Sequence, residues 1–333
     1  MKRALFASIG LLIAGVVPAA AQGKGETVRF QSYGPGSNML IDVAIAKGYC
    51  EKRGIVCQTQ VIANGPLGAQ ALIAKNIEVG YFPVEVLVNA ALKGAALKAI
   101  VGGATRNSFE LVIGKELAAP NADKGYPAFM QDLKGKKIGV TARGSGAEIQ
   151  FRFLAQKAGI SPDDFTYVAV GAPATSHGAL TSKQIDASMT FGPSASLCDV
   201  LKTCRTLFIL GDAKEPAEIA KTEGASSNMV MRQEMIDAAP HVVEAIIAAS
   251  KDAEAFVQDP ANFDELLKIA QVEAQFNFPG GKEVGVMAIK RYLPGFRAAI
   301  SRPAAQQLAD NMLEMKQIEQ RFDTSKVIYD KAP

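Results

Sequence analysis

The loop TARGSG at residues 141–146 combines the side chains and backbone groups best suited to binding an anion. An apolar strand is predicted just before it, at 137–140, and a helix just after it, at 147–158. The first N–H groups of a helix lack partners within the helix, and the helix dipole adds partial positive charge there. We therefore predict that Thr141, Ser145 and these N–H groups coordinate a carboxylate, sulfonate or similar oxyanion, with Arg143 as a bidentate donor.

A second interpretation of the same loop is purely structural. Ser145 and Glu148 have the spacing of a capping box, in which the serine serves only its own helix. Arg143 would then be a solvated side chain. The residues alone do not decide between an anion site and a helix cap.

Other kinds of chemistry find little support. A dinucleotide-binding loop needs a third glycine where Ile149 stands. The segment GPSAS at 192–196 resembles a nucleophile elbow, but a serine replaces its last glycine. The chain has two histidines, His177 and His241, too few for a zinc site. An exported hydrolase using His177 and Ser194 therefore remains a minor alternative, and we expect no cofactor and no metal.

The N-terminus predicts the compartment in which this chemistry takes place. Lys2 and Arg3 precede an uncharged apolar run at 4–17 and the small residues PAAA at 18–21, which is typical of a secretory signal peptide. The run is shorter than the roughly 20 residues of a spanning helix. We predict a signal peptide at 1–21 and a soluble mature protein in the periplasm. Without Lys2 and Arg3 the charge is nearly balanced, which gives no reason to expect nucleic acid as a partner.

The four cysteines fall into two local pairs, Cys50 with Cys57 and Cys198 with Cys204. Paired cysteines in an exported protein favour disulfides. Each bond would join a helix end to the following strand. The alternative, which the sequence leaves open, is that the cysteines are small buried residues that stay reduced.

The chain alternates short β-rich runs with helical patterns, which predicts a mostly parallel sheet covered by helices. A polar loop at 118–125 interrupts this rhythm, which restarts at 136 and continues to about 210. Beyond 224 the sequence is mainly helical. We predict two α/β lobes, the first discontinuous at 26–113 and 226–333 and the second at 114–225. Since open α/β sheets bind ligands at the carboxyl ends of their strands, a cleft is expected between the lobes.

Four stretches of the sequence form a recognisable series: AIAKGYCEKRGI at 44–55, GPLGAQALIAKNIEVGY at 65–81, DLKGKKIGVTARGSG at 132–146 and QIDASMTFGP at 184–193. In their order and spacing they resemble a known family, the substrate-binding proteins of ABC importers of the nitrate/sulfonate/taurine type. The resemblance spans nearly the whole mature chain.

This resemblance implies a two-lobed periplasmic binding protein fold of type II that closes on a solute between its lobes. It also implies a membrane permease with its ATPase as partners, no enzymatic activity, and a monomer. The site residues that it implies follow strand ends and loops on both sides of the cleft: Tyr33, Gly34, Gly65, Pro66, Tyr81, Phe82, Thr105, Arg106, Thr141, Arg143, Gly144, Ser145, Gly146, Phe191, Gly192 and Asn228.

The sequence departs from the family pattern before Pro193. Relatives often carry a tryptophan and an acidic residue there, whereas this chain has Phe191 and Gly192 and no tryptophan at all. The loss of the acid favours an anionic ligand or makes room for a bulkier one. We expect a small organic anion, a sulfonate or carboxylate, rather than taurine. A thiamine-precursor-type binding or biosynthetic protein is the alternative.

Overall fold

The computed structural model describes residues 23–333, so the predicted signal peptide at 1–21 lies outside the described residues. Within residues 23–333, no helix is both long and apolar enough to cross a membrane.

The described residues form ten strands and fourteen α-helices that alternate along most of the chain. The strands are β1 (Glu26–Ser32), β2 (Ile55–Val61), β3 (Val79–Pro83), β4 (Leu97–Ala104), β5 (Phe109–Gly114), β6 (Lys137–Val140), β7 (Thr166–Ala169), β8 (Ala187–Phe191), β9 (Cys204–Ile209) and β10 (Ser227–Arg232). The helices are α1 (Met39–Ala46), α2 (Tyr49–Lys52), α3 (Gly65–Ile73), α4 (Val84–Leu92), α5 (Gly146–Lys157), α6 (Pro173–Thr181), α7 (Ser194–Leu201), α8 (Ala217–Ala220), α9 (Gln233–Ala238), α10 (Pro240–Gln258), α11 (Phe263–Ile269), α12 (Val272–Gln275), α13 (Gly281–Tyr292) and α14 (Arg302–Glu314).

The strands make two five-stranded sheets, in the orders β2-β1-β3-β10-β4 and β7-β6-β8-β5-β9. In the first sheet β1, β2 and β3 are parallel, whereas β10 runs antiparallel between β3 and β4. Because β10 returns to the first sheet after the second has formed, the second lobe is inserted into the first. The predicted two-lobed α/β architecture is confirmed.

The position of β5 differs from the prediction. The sequence predicts that residues up to 113 belong to the first lobe, but β5 pairs antiparallel with β8 and β9 in the second sheet. The chain therefore crosses between lobes at residues 105–108. The sequence does not mark this crossing, because β4 and β5 are both apolar and only a short connection separates them.

Apolar residues cover both faces of the first sheet. In β3 the side chains alternate, so that Tyr81 packs on the side of α1 and α10 and Phe82 on the side of α3, α4 and α14. Helix α10 presents Val242, Ile246 and Ala249 at helical spacing, all fully buried, and lies against α1. A third cluster fills the second lobe around Phe151.

Both predicted disulfides are present. Cys50 in α2 is bonded to Cys57 in β2, and Cys198 in α7 to Cys204 in β9. Each joins a helix to the strand that follows it, as predicted. The second bond holds the end of α7, which is one wall of the cavity described next.

Candidate functional site

A cavity of about 540 Å³ lies between the two sheets. Its lining residues come from the ends of β1, β3, β6 and β8, from the first turns of α3, α5 and α6, and from the C-terminal helices α12 and α13. Both lobes therefore contribute to one site, as expected for strands whose carboxyl ends face each other across a cleft.

One side of this cavity, here called the polar wall, is formed by the starts of two helices. The first turns of α3 and α5 both lie against Pro83. A Cβ placed on Gly65 of α3 would lie 3.6 Å from the Pro83 ring, and a Cβ placed on Gly146 of α5 would lie 3.1 Å from it. The polar wall consists of Asn64, Gly65, Thr141, Ser145 and Gly146. It brings N–H groups from α3 of the first lobe and α5 of the second to the same space.

Each of these helices is capped by its own side chain. Asn64 Oδ1 accepts a hydrogen bond from Leu67 N at 3.0 Å, and Ser145 Oγ accepts one from Glu148 N at 3.5 Å. The capping interpretation of Ser145 thus describes the local structure, and Ser145 also lines the cavity. The longer 3.5 Å contact is a weak hydrogen bond.

Arg143 and Gly144 do not line the cavity. Arg143 Nε donates to Glu148 Oε2 at 2.9 Å, and Gly144 N donates to the same oxygen at 2.8 Å. The Arg143 guanidinium also lies over the Tyr167 ring, 5.5 Å from its centroid, and its side chain is 61% exposed. The positive charge of Arg143, which the sequence predicts as a partner of the anion, is therefore paired with Glu148 in the first turn of α5.

Aromatic rings cross the cleft beside the polar wall. Tyr33 of the first lobe lies 5.3 Å from the Phe191 ring of the second lobe and 5.8 Å from the Tyr81 ring, measured between centroids. Tyr33 donates its hydroxyl to the Tyr81 carbonyl at 2.6 Å. The Tyr81 hydroxyl is buried and has no hydrogen-bond partner among the described residues. These rings offer flat apolar surface with a few polar atoms at the edges.

Among the described residues that line the cavity, Arg106 is the one that carries a permanent charge. It forms an ion pair with Asp212. Its charge is therefore already compensated by the protein. The described lining therefore offers a ligand helix dipoles and hydroxyl groups, and no cation that lacks an ion-pair partner.

Another part of the lining, here called the apolar wall, is not among the residues that the sequence predicts for the site. It is formed by α7 of the second lobe together with α12, α13 and the loop between them. Its residues are Leu197, Leu201, Val272, Phe276, Phe278, Ala288 and Ile289. Within the C-terminal helices, a Cβ on Gly285 would lie 3.0 Å from the Phe276 ring. Between the lobes, a Cβ on Gly280 would lie 3.4 Å from Leu201 of α7, so the two lobes are in contact along this wall.

Polar contacts fix the apolar wall to the second lobe. Arg291 of α13 donates to Asp199 at 3.1 Å and to Ser196 at 3.2 Å. Glu110 of β5, which is fully buried, accepts hydrogen bonds from the Tyr292 hydroxyl and from Ala195 N. Burial raises the pKa of Glu110. The C-terminal region thus reaches across the cleft and closes one side of it.

A sequence model described as "NMT1/THI5 like" matches residues 38–262, which is more than half of the chain. The chain belongs to this family. A Brucella abortus protein with a provisional binding-protein name is 29% identical over 269 residues, covering 77% of this chain and 74% of that protein.

Solved structures with the same fold support the predicted resemblance. The alkanesulfonate-binding protein SsuA from Xanthomonas axonopodis pv. citri, bound to MOPS, aligns with a TM-score of 0.70 at 18% identity, covering 93% of this chain and 99% of that one. The periplasmic nitrate-binding protein NrtA from Synechocystis PCC 6803 aligns with a TM-score of 0.71 at 14% identity, covering 91% and 85%. The family predicted from the sequence motifs is confirmed.

In this NMT1/THI5-like protein, ten of the predicted site residues line the cavity. They are Tyr33, Gly34, Gly65, Tyr81, Arg106, Thr141, Ser145, Gly146, Phe191 and Gly192.

Besides Arg143 and Gly144, four predicted site residues lie outside the lining. Pro66 is in the first turn of α3, and Phe82 is fully buried in the core beneath that helix. The Thr105 hydroxyl donates to the Gly295 carbonyl at 2.9 Å, and Asn228 is buried within β10. Each neighbours a lining residue along the chain.

The arrangement does not pair His177 with Ser194. His177 lines the cavity, with Nε2 3.3 Å from the Thr203 hydroxyl and Nδ1 3.7 Å from Cys204 Sγ. Ser194 donates its hydroxyl to the Phe191 carbonyl at 3.2 Å. Among the described residues these contacts leave no serine–histidine hydrogen bond of the kind that nucleophilic catalysis needs.

Proposed function

We propose that the protein is the solute-binding component of an ABC importer, and that it captures a small organic anion, a sulfonate or carboxylate, in the cavity between its lobes. It works in the periplasm as a monomer, closes on the solute, and delivers it unchanged to a membrane permease driven by an ATPase. The observation that carries this proposal is the cavity of about 540 Å³ lined by both lobes. Its described lining has helix N-termini and hydroxyls, and holds no nucleophile and base in contact.

The polar wall supports an anion as the ligand. The starts of α3 and α5 both line the cavity, which brings the positive ends of two helix dipoles to it, and Thr141 and Ser145 add hydroxyls. The two structural neighbours described above bind an alkanesulfonate and nitrate according to their names, which favours the same class of solute here.

A planar neutral ring is a second candidate ligand. The Tyr33–Phe191 contact across the cleft fits a flat heterocycle such as a pyrimidine, the core of the thiamine precursor considered above. This candidate needs no negative charge on the solute and would depend on hydrogen bonds from the polar wall.

Thermal unfolding of the mature protein tests the capture role. Ligands that bind only the folded state stabilise it by mass action, by about 2.7 kcal/mol at a hundredfold excess over Kd. We expect at least one organic anion from a set of sulfonates and carboxylates to raise the melting temperature in proportion to log concentration, and mass spectrometry to recover it unchanged. Chemical conversion of the added compound, lost in His177→Ala, would contradict the proposal.

A further inference from the structure

The cavity is much larger than a simple oxyanion requires. Its volume of about 540 Å³ falls in the range of about 300–1,000 Å³ that is typical for drug-sized organic ligands. A four-atom anion such as nitrate would contact the polar wall and leave the apolar wall facing water. Apolar surface left in water forgoes the favourable free energy of its burial.

The composition of the apolar wall points to a specific kind of occupant. Of its seven residues, two are phenylalanines and five are aliphatic, and Tyr33 and Phe191 add two further rings to the lining. Aromatic rings favour stacked or edge-to-face contact with another ring. Phe278 is 39% exposed even though it lines the cavity, so its apolar surface is not fully covered by the protein.

The charges lead to the same conclusion. Arg106 is paired with Asp212, and Arg143 with Glu148, so neither guanidinium is available to hold an anion by itself. Burial lowers the pKa of His177, which keeps its ring neutral. Dipoles and hydroxyls alone make an anion site of moderate strength, and the remaining affinity has to come from apolar contact.

We infer that the solute is an aryl-bearing oxyanion, a sulfonate or carboxylate whose acidic group lies on the polar wall and whose aromatic body lies on the apolar wall. This inference rests on the proposed function and specifies its ligand. The oxyanion accepts hydrogen bonds from the starts of α3 and α5. The ring packs between α7 and α13, and this contact bridges the two lobes in the closed form.

Calorimetry with three sulfonates that share one acidic group separates the contributions of the two walls. The probes are methanesulfonate, benzenesulfonate and naphthalene-2-sulfonate, each titrated into the full mature protein. We expect affinity to rise with ring size, with naphthalene-2-sulfonate bound at least tenfold more tightly than methanesulfonate. Equal affinities for the three would overturn the inference and leave the capture of an organic anion intact.

Filling the apolar wall gives a sharper test. Ala288 is nearly buried on α13, and Ala288→Leu adds three carbon atoms toward the cavity. We expect this variant to bind naphthalene-2-sulfonate at least tenfold more weakly and methanesulfonate within twofold of the unmodified protein. Ala220→Leu makes the same change at an exposed position of α8 and should alter neither affinity.

A second variant keeps the inference testable if Ala288→Leu does not fold. Phe278→Ala removes a partly exposed ring, and Leu92→Ala removes an exposed apolar side chain from α4, away from the cavity. We expect Phe278→Ala alone to weaken binding of naphthalene-2-sulfonate severalfold. Unchanged affinity in both Ala288→Leu and Phe278→Ala would overturn the inference. Failure of all three sulfonates and of the corresponding carboxylates to bind would contradict both the aryl-oxyanion ligand and the proposed organic-anion class.

Discussion

The polar wall and the apolar wall enclose the same cavity but are built in different ways. The polar wall consists of loops at strand ends and the first turns of α3 and α5, so its residues lie in short local motifs. The apolar wall is assembled from α7 and from helices about 80 residues further along the chain. In the proposed complex this difference would separate two tasks: the polar wall would position the charged group, and the apolar wall would determine how large and how apolar the rest of the solute can be.

The largest effect is expected where the apolar wall is anchored to the second lobe. Glu110→Ala removes a fully buried carboxylate and leaves the Tyr292 hydroxyl, Ala195 N and part of the Arg291 charge without their partner. Breaking a buried charged network typically costs about 3–5 kcal/mol. We expect a loss of that size in urea unfolding, together with weaker binding of naphthalene-2-sulfonate.

Glu116→Ala is the matched control for Glu110→Ala. Glu116 lies shortly after the same strand, and its ion pair with Lys183 is exposed at 74% and 76%. Exposed pairs contribute about 0–1 kcal/mol. If both variants lost the same small amount of stability, the apolar wall would not depend on the Glu110 contacts.

A pH effect is expected behind the polar wall, where Glu85 of α4 accepts a hydrogen bond from Gln150 of α5 at 2.9 Å. Burial raises the pKa of Glu85 from 4.5 to about 7. The folded protein therefore keeps this proton at pH values where the unfolded chain has lost it. The stabilising contribution is complete below pH 4.5 and is lost as the pH rises through 7, by roughly 3 kcal/mol at about 1.4 kcal/mol per pKa unit.

Urea unfolding between pH 4 and 8 measures this contribution. Glu85→Gln keeps an acceptor for Gln150 but cannot ionise, so its stability should fall less steeply with pH than that of the unmodified protein. Asp42, whose pKa burial also raises to about 7, contributes equally to both proteins and cancels in the difference. Glu51→Gln, on the exposed face of α2, should leave the profile unchanged. Parallel profiles for Glu85→Gln and the unmodified protein would refute the assignment.

A smaller effect is expected for the serine that both caps α5 and lines the cavity. Ser145→Ala should cost about 1 kcal/mol of stability, the usual value for an N-cap. It should also weaken methanesulfonate binding between about twofold and tenfold, since one hydrogen bond contributes about 0.5–1.5 kcal/mol. Ser301 caps α14 in the same way, away from the cavity, so Ser301→Ala should lower stability alone. Equal methanesulfonate affinity in the two variants would show that Ser145 does not bind the solute.

The smallest effect is expected for Arg143, the residue that the sequence assigned most directly to the anion. Since Arg143 pairs with Glu148 outside the cavity, Arg143→Ala should change stability by less than about 1 kcal/mol and methanesulfonate affinity by less than twofold. Arg152→Ala is a suitable control, because Arg152 also lies over the Tyr167 ring. A tenfold loss of affinity in Arg143→Ala alone would show that the guanidinium turns toward the solute.

How far the sequence predicts the site depends on the range of the interactions. The strand at Lys137–Val140, the start of α5 and the two disulfides follow from residues a few positions apart, and all were predicted correctly. The direction of the Arg143 side chain depends on competition between a solute and Glu148, which spacing alone does not resolve.

The apolar wall could not be predicted for a different reason. Val272 of α12, and Ala288 and Ile289 of α13, are apolar residues of the kind that any helix packed on a core carries. What makes these residues part of the cavity is the contact of α13 with α7, which depends on the placement of the two lobes. The one local signal is the pair of glycines. Gly285 leaves no space for a Cβ beside Val272 and Phe276, and Gly280 has a positive φ of 81° next to Leu201.

The central claim is that both walls hold one solute at the same time. A crystal structure of the mature protein grown with naphthalene-2-sulfonate tests it most directly. The account predicts sulfonate oxygens within hydrogen-bond distance of Ser145 or Gly146 N, and the ring in contact with Phe276 and Leu201. A sulfonate bound to Arg143, or a ring lying outside the apolar wall, would contradict it.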